Sequence, residues 1–488
     1  MKNYLTISIR AAFLAALVLL VAGCGGAQTT PYATPKVTMP AQWQTANSSS
    51  PAAAEKNAEA KTALGVTTDT LAQRALGFKD PELGRLLALA LKRNNDLAAA
   101  AIKVRQARLQ AGLKADALYP TASAEVGGSY THNLESGVND NSHSASGTLS
   151  YELDLWGKLA RERDMAIWEA EATEEDRQSA ALALLGTTAE LYFQIAYLNE
   201  RIGLGQQSIS RAEKSLELAQ VRHRAGADSS LDELEARRSL ANLQATQKDL
   251  LRQLAVKRTA MAILFDGPPE GIATDPKRLP RGPLPEVEEG LPASLLGRRP
   301  DLRAAELRLR QALANVDVER TSYYPTLSLT GTLGSTSSAL LEVVKNPVAS
   351  LLANLSFPFL QWNEMQLNIK LAKAEYEEAV INFRQTLYEA LKEVEDALSS
   401  RQYYAAQAAS YQDALAAAGL AERRYETRYR AGADTMQVWL DAQEARQNAD
   451  ASLLSNRLDR LTNYLILYQA LGGEPLKLTN GSNADSIS

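Results

Sequence analysis

Residues 121–130, TASAEVGGSY, decide whether this chain contains β-strands or is built from helices alone. Small or apolar residues alternate with polar ones along them. Ala122 and Val126 fall on one face of this segment, and Glu125 falls on the other. A period of two is typical of a β-strand, whereas helices repeat at about 3.6 residues. We therefore predict a strand over residues 119–131.

The same alternation recurs in three further segments, at residues 144–156, 326–333 and 351–357. The polar segment 133–141 separates the first two strands and predicts a hairpin. Each strand has room for the roughly 9–11 residues that a tilted membrane strand needs. Aromatic residues of the kind found at membrane interfaces lie near the strand ends: Tyr119, Tyr130, Trp156, Tyr324, Phe359 and Trp362. The alternative is a soluble hairpin pair that caps a helical bundle.

Four strands cannot close a membrane barrel. Known barrels begin at about eight strands, and open sheet edges are not tolerated in lipid. A membrane-spanning form of this chain must therefore pool its strands with other copies of itself.

Helical periodicity flanks the strands on both sides. Residues 157–222 carry helix formers throughout and would form one helix roughly 100 Å long at about 1.5 Å per residue. The shorter segments 82–118 and 231–264 give about 55 Å each, so two short helices laid end to end match one long helix. The second half gives the same arithmetic from residues 293–323, 363–428 and 435–471. Taken alone, this periodicity fits an ordinary coiled coil or bundle equally well.

The chain repeats itself at an offset of about 205 residues. The matching pairs are Asn95-Asp96 with Pro300-Asp301, Tyr119-Pro120 with Tyr324-Pro325, and RAGAD at 224–228 with RAGAD at 430–434. Because order and spacing are kept, we interpret the chain as one structural unit used twice. The proline-rich stretch from Pro268 to Pro300 predicts a connector between the two repeats, since proline disrupts helix interiors.

The N-terminus predicts export and lipidation. Lys2 and Arg10 precede an apolar run at 11–22, which is too short to span a bilayer and is typical of a signal peptide. Cys24 is the only cysteine in the chain and follows Val-Ala-Gly, which resembles a bacterial lipoprotein box. A plain signal peptide with an incidental thiol is the alternative. Residues 27–62, rich in Pro, Ala, Ser and Thr, predict an extended tether.

Composition excludes several classes of function. Cleavage after residue 23 removes Lys2 and Arg10 and leaves 50 Lys and Arg against 57 Asp and Glu, an acidic balance that argues against nucleic acid as a partner. No second long apolar stretch predicts a transmembrane helix. The three histidines have no spacing that suits a metal or a catalytic triad, and no glycine-rich phosphate loop is present. We therefore expect no catalytic residues, no metal and no cofactor.

Several motifs together carry a family resemblance. They are the junction YELDLWG at 151–157, RRPD at 298–301, the two RAGAD runs, Leu440-Asp441-Ala442, and ALGG at 470–473. The chain resembles the TolC-type outer-membrane efflux channels from about residue 63 to residue 475, and within them the lipoprotein branch that includes OprM and CusC. The resemblance implies an α+β membrane protein. It would be a homotrimer whose 12-stranded β-barrel, four strands per chain, continues into a long α-helical barrel in the periplasm.

This resemblance sets the expected domain boundaries. They are a signal peptide at 1–23, a lipidated tether at 24–62, a first repeat at 63–266, an equatorial connector at 267–292, a second repeat at 293–475 and a C-terminal tail at 476–488.

The resemblance also implies functional residues. Arg224, Gly226, Arg430 and Gly432 match the turns that dock the periplasmic adaptor. Asp441 matches the family's acidic constriction, with Glu444 in place of an arginine and Gln437 in place of a leucine. Three Asp441 carboxylates around a threefold axis would favour cations over anions. The alternative for Asp441 is a solvated charge on a helix surface.

We therefore expect a lipid-anchored outer-membrane channel that extends into the periplasm, a passive duct for drugs and other toxic small molecules. Its expected partners are a periplasmic adaptor of the membrane fusion type, an inner-membrane pump of the RND type and outer-membrane lipid. Metal-ion efflux or type I secretion is the alternative within this fold. A periplasmic coiled-coil adaptor or scaffold lipoprotein without a pore is the alternative from another class.

Overall fold

Long helices and two β-hairpins alternate in the order that the repeat predicts. The computed structural model describes residues 80–266, 275–285, 295–339 and 347–473, short pieces between 29 and 43, and the single residues 78, 292 and 345. Its elements are α1 Pro81–Arg93, α2 Asn95–Asp116, β1 Thr121–His132, β2 Asn139–Leu153, α3 Lys158–Arg224, α4 Ser230–Ile263, α5 Leu295–Arg298, α6 Pro300–Thr321, β3 Thr326–Ser337, β4 Val348–Ser356, a 3-10 turn Pro358–Leu360, α7 Trp362–Arg430 and α8 Met436–Ala470. The signal peptide at 1–23, Cys24, most of the tether and connector, and the tail at 476–488 lie outside the described residues.

Each predicted short helix before a hairpin is divided in two. Asn94 breaks the first, because its backbone is extended (ψ 127°) and its side-chain oxygen accepts the Leu97 N–H at 3.0 Å. This caps the new helix in the manner typical of asparagine. Arg299 breaks the second, since a residue before proline avoids helical geometry and Pro300 follows it.

The four strands form one antiparallel sheet in the order β1-β2-β3-β4. Directly paired residues share a face, and the register places Ala122 opposite Leu149, Leu149 opposite Gly331, and Gly331 opposite Leu351. The predicted small and apolar face is therefore continuous across all four strands.

The second strand differs from its prediction at both ends. It begins at Asn139, inside the predicted loop, because residues 139–143 continue the ladder with β1. The Tyr130 hydroxyl also donates to the Asn139 side chain at 2.9 Å. Strand β2 ends at Leu153 and not at the predicted residue 156. The next residue, Asp154, accepts hydrogen bonds from the Leu159 and Ala160 N–H groups at the start of α3.

The chain divides into two compact units. Unit 1 comprises residues 1–37, 103–174 and 304–385, and unit 2 comprises residues 38–102, 175–303 and 386–488. Unit 1 contains the sheet, and unit 2 contains both turns that join a long helix to its returning helix. The helices α3 and α7 contribute residues to both units.

In unit 1 a short N-terminal piece is bound to α6. The Thr30 N–H and hydroxyl both donate to the Asp317 carboxylate, at 2.9 and 2.7 Å. Arg161 and Arg320 approach the same buried carboxylate at 3.6 and 3.4 Å. The charge of Asp317 is therefore neutralised on two sides while it holds the N-terminal piece.

The core of unit 2 forms around α3. Leu185, Phe193 and Ile195 are almost fully buried there and pack with Leu86 of α1 and Leu465 of α8. Among the described helices, α3 alone is long and apolar enough to cross a membrane, and 67% of its most apolar window is buried inside the protein. This burial is what a core helix shows.

Candidate functional site: paired helix turns and an exposed sheet

Two turns in unit 2, one after α3 and one after α7, have the same backbone. Gly226 and Gly432 adopt φ values of 72° and 76°, a left-handed conformation that glycine reaches without steric cost. In the first turn the Ala227 N–H donates to the Arg222 carbonyl at 2.9 Å, and in the second the Ala433 N–H donates to the Arg428 carbonyl at 2.8 Å. These bonds satisfy helix-end carbonyls in the way that glycine C-caps do.

Each turn also contains an arginine and a carboxylate six residues apart. Arg222 donates to Asp228 at 2.8 Å in the first turn. Arg428 donates to Asp434 at 2.5 and 3.0 Å in the second. The Asp228 side chain is 9% exposed and its Arg222 partner 22%, whereas Arg428 is 59% exposed.

The first turn is bound to the helix that leads into the second. The Tyr429 hydroxyl of α7 donates to the Asp228 carboxylate at 2.5 Å. Arg222 donates to the Arg430 carbonyl at 3.3 Å, and its guanidinium lies 5.0 Å from the centre of the Tyr429 ring. Tyr429 stacks on Trp439 of α8 with ring centres 5.3 Å apart. These contacts join α3, α7 and α8 in one cluster at the turns.

The cluster shifts the acid–base behaviour of its members. The hydrogen bond from Arg222 holds the pKa of Asp228 below its usual range, against the opposing effect of burial, and the bond from Tyr429 adds to the lowering. Burial raises the pKa of Tyr429, and its bond to the negative Asp228 raises it further. Asp228 therefore stays charged and Tyr429 stays protonated around neutral pH.

The four predicted docking residues all lie on the surface of the turns. Arg224 donates to the Gln220 carbonyl, and Arg430 donates to Glu426 at 2.8 Å, so both guanidinium groups are held along their own helices. A Cβ atom added at Gly226 or Gly432 would meet open space within 4 Å. The turns thus present two arginines and two side-chain-free backbones to solvent.

The three predicted gate residues lie on one face of α8, at positions i, i+4 and i+7. Gln437 donates to Asp441 at 2.5 Å, and Asp441 and Glu444 are exposed. One chain therefore brings Gln437 and Asp441 together and places Glu444 one turn beyond. Their role as a gate stays a prediction.

No motif in the sequence contains Arg222, Tyr429 or Trp439, and Asp228 is only the last residue of the first RAGAD run. An available signal was that Arg222 and Arg428 precede the two aspartates by the same six residues. The bond from Tyr429 to Asp228 had no such signal, since it joins residues 201 positions apart.

The sheet of unit 1 is the second feature with functional meaning. Its apolar side chains are exposed, with Val126 at 83% and Leu351 at 81%. Thr121, Ser150 and Thr330 are paired on the opposite face, which is polar. Within the described residues, the outer strands β1 and β4 each pair on one side only. An apolar face, a polar face and unpaired edges are the pattern of a segment of a membrane barrel.

The described residues contain no group of three or more His, Cys, Asp or Glu side chains placed to hold a metal ion.

Comparison with known proteins agrees with this pattern. The sequence matches the family described as outer membrane efflux protein over residues 86–264 and 291–473. It is 33% identical over 408 residues to the pyoverdine export outer membrane protein OpmQ of Pseudomonas putida, a match that covers 81% of this chain and 87% of OpmQ. It is 28% identical over 470 residues to the toluene efflux pump outer membrane protein TtgC, also of Pseudomonas putida, covering 94% of this chain and 95% of TtgC.

Among solved structures, the fold is similar to the open state of the MtrE outer membrane channel of Neisseria gonorrhoeae. The TM-score is 0.76 at 26% identity, and the match covers 92% of this chain and 98% of MtrE. The predicted resemblance to TolC-type channels is thereby confirmed. The comparisons also favour an outer-membrane efflux channel over the alternative of a periplasmic scaffold without a pore. The family match spans both repeats, so this chain belongs to the outer membrane efflux protein family.

Proposed function

We propose that three copies of this chain form the outer-membrane duct of a tripartite efflux system. The observation that carries the proposal is the four-stranded sheet with an exposed apolar face and two unpaired edges. Three such sheets supply twelve strands, enough to close a barrel in which every edge is paired. The long helices α3 and α7 with their returning helices would then form the periplasmic part.

The paired turns are the proposed contact with a periplasmic adaptor. This proposal is supported by the exposure of the turns, since Arg224, Arg430 and both glycines are open to solvent where α3 and α7 end. An inner-membrane pump of the RND type would supply the energy, and the duct itself performs no catalysis. The relatives' names, which describe efflux pump outer membrane proteins, support this arrangement.

The proposed cargo is small toxic molecules. One relative is named for pyoverdine export and another for toluene efflux. Membership of this family therefore does not indicate a single chemical class of cargo. Metal-ion efflux and type I secretion remain the alternatives within the fold. Efflux assays in a strain without its own duct, supplied in turn with each class of pump, separate these alternatives.

Trimer formation and conduction test the proposal together. Cross-linking of the purified protein in detergent should stop at three copies, and the protein should conduct ions in planar bilayers. A stable monomer that conducts would overturn the trimer, and a trimer that never conducts would overturn the duct.

Cys24 is the proposed site of lipidation, with palmitate as the label. Cys24→Ser should abolish palmitate incorporation and leave export intact. Equal labelling of variant and natural protein would remove the lipid anchor from the proposal.

Adaptor docking is tested with bulky substitutions at the turns. The Gly226→Trp/Gly432→Trp protein should lose efflux while its trimer yield stays normal. Gly203→Trp is the matched control, since Gly203 is an exposed glycine of α3 that also has open space around it. Normal efflux from the double variant would place the docking surface elsewhere.

The gate proposal rests on the single face of α8 that carries Gln437, Asp441 and Glu444. A ring of three such faces would favour cations. Asp441→Ala/Glu444→Ala channels should therefore show a smaller reversal potential in asymmetric KCl. An unchanged reversal potential and conductance would place the constriction at other residues.

A further inference from the structure

Two helices of unit 1 each expose an apolar stripe to solvent. On α2 the stripe consists of Leu109 and Leu113, and Leu113 is 72% exposed. On α7 it consists of Leu367, Leu371 and Ile381, and Leu367 is 65% exposed. We call these the α2 stripe and the α7 stripe. Leucine and isoleucine side chains are usually buried, and clustered exposed ones mark an interaction surface.

The α2 stripe lies on the side of α2 that faces away from α3. Val104 is buried, and Leu113 follows it by nine residues, which is a rotation of about 180° around the helix. Arg108 and Lys114 lie on either side of the buried face and pair with Glu174 and Glu162 of α3, at 3.5 and 2.7 Å. Since α3 covers one side of α2, the stripe faces the position of a neighbour on the other side.

The α7 stripe has the same relation to α6. Ala372 is buried, and Ile381 follows it by nine residues, again a rotation of about 180°. On the buried side the Asn368 amide donates to the hydroxyl of Tyr323, two residues after the end of α6, at 2.8 Å. Helices α2 and α7 are therefore each covered on one side by their own chain and exposed on the opposite side.

The two stripes belong to the helices that join the edges of the sheet. Helix α2 leads into β1 and helix α7 follows β4, and these are the outer strands of the sheet. Because the strands are antiparallel, the start of β1 and the end of β4 lie at the same end of the sheet. When β4 of one copy pairs with β1 of the next, α7 of the first copy and α2 of the second leave the barrel side by side.

The charges of these two helices are complementary. Within unit 1, α2 has four basic residues and one acidic residue, a net charge of +3, whereas α7 has three basic residues and four glutamates, a net charge of −1. Lys103 and Glu377 are exposed and form no ion pair with another described residue. Both lie about 20 Å along their helices from the ends next to the sheet. A second copy therefore supplies both apolar surface and opposite charge.

We propose that the α7 stripe of one copy packs against the α2 stripe of the next copy, in a contact that we call the helix seam. The seam lies directly below the barrel, buries both stripes and places Lys103 near Glu377 of the neighbouring copy. This inference rests on the proposed trimer and adds the surface through which the helical parts of neighbouring copies associate.

Paired cysteines test the helix seam. Cys24 is the only natural cysteine, so the Cys24→Ser protein is a background without thiols. In that background Leu113→Cys/Leu367→Cys and Leu109→Cys/Leu371→Cys join positions at similar distances from the sheet. Disulfides need Cα atoms within about 7 Å of each other. After oxidation in detergent, at least one pair should give covalent dimers and trimers on denaturing gels without reductant.

Ile167→Cys/Leu367→Cys is the matched control for the disulfides. Ile167 is an exposed apolar residue of α3, and α3 follows β2, which is an inner strand of the sheet. This variant should give no covalent dimers.

A second measurement does not depend on the register of the seam. Leu109→Asp/Leu113→Asp changes two positions that are exposed in one chain and buried in the seam, where unpaired carboxylates are costly. The temperature at which the trimer dissociates on gels should fall. Ile167→Asp, the matched control, should leave it unchanged.

Amine cross-linking of the same samples separates the helix seam from the proposed trimer. If cross-linking stops at three copies but neither cysteine pair forms a disulfide, the seam is wrong and the trimer stands, with outer-membrane lipid left to cover the stripes. If only monomers are found, the trimer itself is wrong. Disulfides that form as readily in the control would also overturn the seam. If the cysteine variants fail to assemble, the dissociation temperature of Leu109→Asp/Leu113→Asp decides the question.

Discussion

The turn after α3 and the turn after α7 have the same backbone and the same arginine–aspartate pair, but their surroundings differ. Asp228 in the first turn accepts hydrogen bonds from Arg222 and from Tyr429 of the other long helix. Asp434 in the second turn accepts from Arg428 of its own helix. The position that Tyr429 holds before the second turn is occupied by His223 before the first.

The two copies of the duplicated unit therefore differ in their contacts although their turns have the same backbone. Both turns have the same local arginine–aspartate pair, whereas the contacts between the repeats come from Tyr429 and Arg222. His223 approaches the Asp228 carbonyl of its own turn at 3.1 Å, so it stays within its repeat. We infer that the first turn is held in place by its neighbour and that the second turn is the freer of the two.

The sharpest test of this comparison removes each aspartate in turn. Asp228→Ala leaves the Tyr429 hydroxyl without its acceptor, at about 1–3 kcal/mol for a buried group. Arg222 would retain its bond to the Arg430 carbonyl. Asp434→Ala breaks an exposed pair, and such pairs contribute little. We expect a large rise in resting single-channel conductance for Asp228→Ala and little change for Asp434→Ala. Equal effects would mean that the two turns are equivalent.

A smaller effect is expected when only the connection between the repeats is removed. Tyr429→Phe keeps the stacking on Trp439 and loses one hydrogen bond to a charged group, about 1.5–3 kcal/mol. Open probability in planar bilayers should rise, and the change should add nothing in an Asp228→Ala background. His223→Phe is the control at the equivalent position. Additive effects of Tyr429→Phe and Asp228→Ala would contradict the direct bond.

Acidification should act more gently than either substitution, because a protonated carboxyl still accepts hydrogen bonds. The pKa of Asp228 is lowered, so the stabilisation that its charge provides is complete above the ordinary value of about 3.9 and is lost as pH falls through the lower folded value. The pKa of Tyr429 is raised, so its contribution is complete below about 10 and is lost only as pH rises through its raised value.

Conductance should therefore be flat from about pH 4 to about pH 10 and change outside that window. The acid-side change that belongs to Asp228 should disappear in Asp228→Asn channels. A change centred near neutral pH would point to other groups.

The smallest expected effect comes from the glycines, and here the two turns should behave alike. Gly226→Ala and Gly432→Ala each force a side chain into a left-handed conformation, at a cost of about 1–2 kcal/mol. Thermal unfolding midpoints of the two variants should fall by similar amounts. A clear difference between the two midpoints would show that the surroundings of the two turns change the cost of the substitution.

Local patterns predicted much of this molecule. The alternation at 121–130 identified which residues share a face, because strand periodicity depends only on neighbouring positions. The register confirms it by pairing Ala122 with Leu149 and Val126 with Ala145. Helical spacing likewise placed Gln437, Asp441 and Glu444 on one face of α8.

Contacts between distant positions could not be predicted in this way. The break at Asn94 depends partly on its side chain reaching the Leu264 carbonyl, 170 positions away. The bond from Tyr429 to Asp228 and the position of Gln247 over Gly205 depend on how separate helices pack. No local period encodes such contacts, so the residues that distinguish the two turns became visible only in the fold.

The bond between Thr30 and Asp317 limits where the proposed lipid on Cys24 can lie. Thr30 lies six positions after Cys24, and a chain advancing six positions spans at most about 22 Å. Asp317 lies nine positions before the start of β3. A lipid on Cys24 would therefore enter the bilayer within that radius of the Asp317 carboxylate. The proposed lipid on Cys24 would then be tethered near the start of β3, and Asp317→Ala would remove that tether.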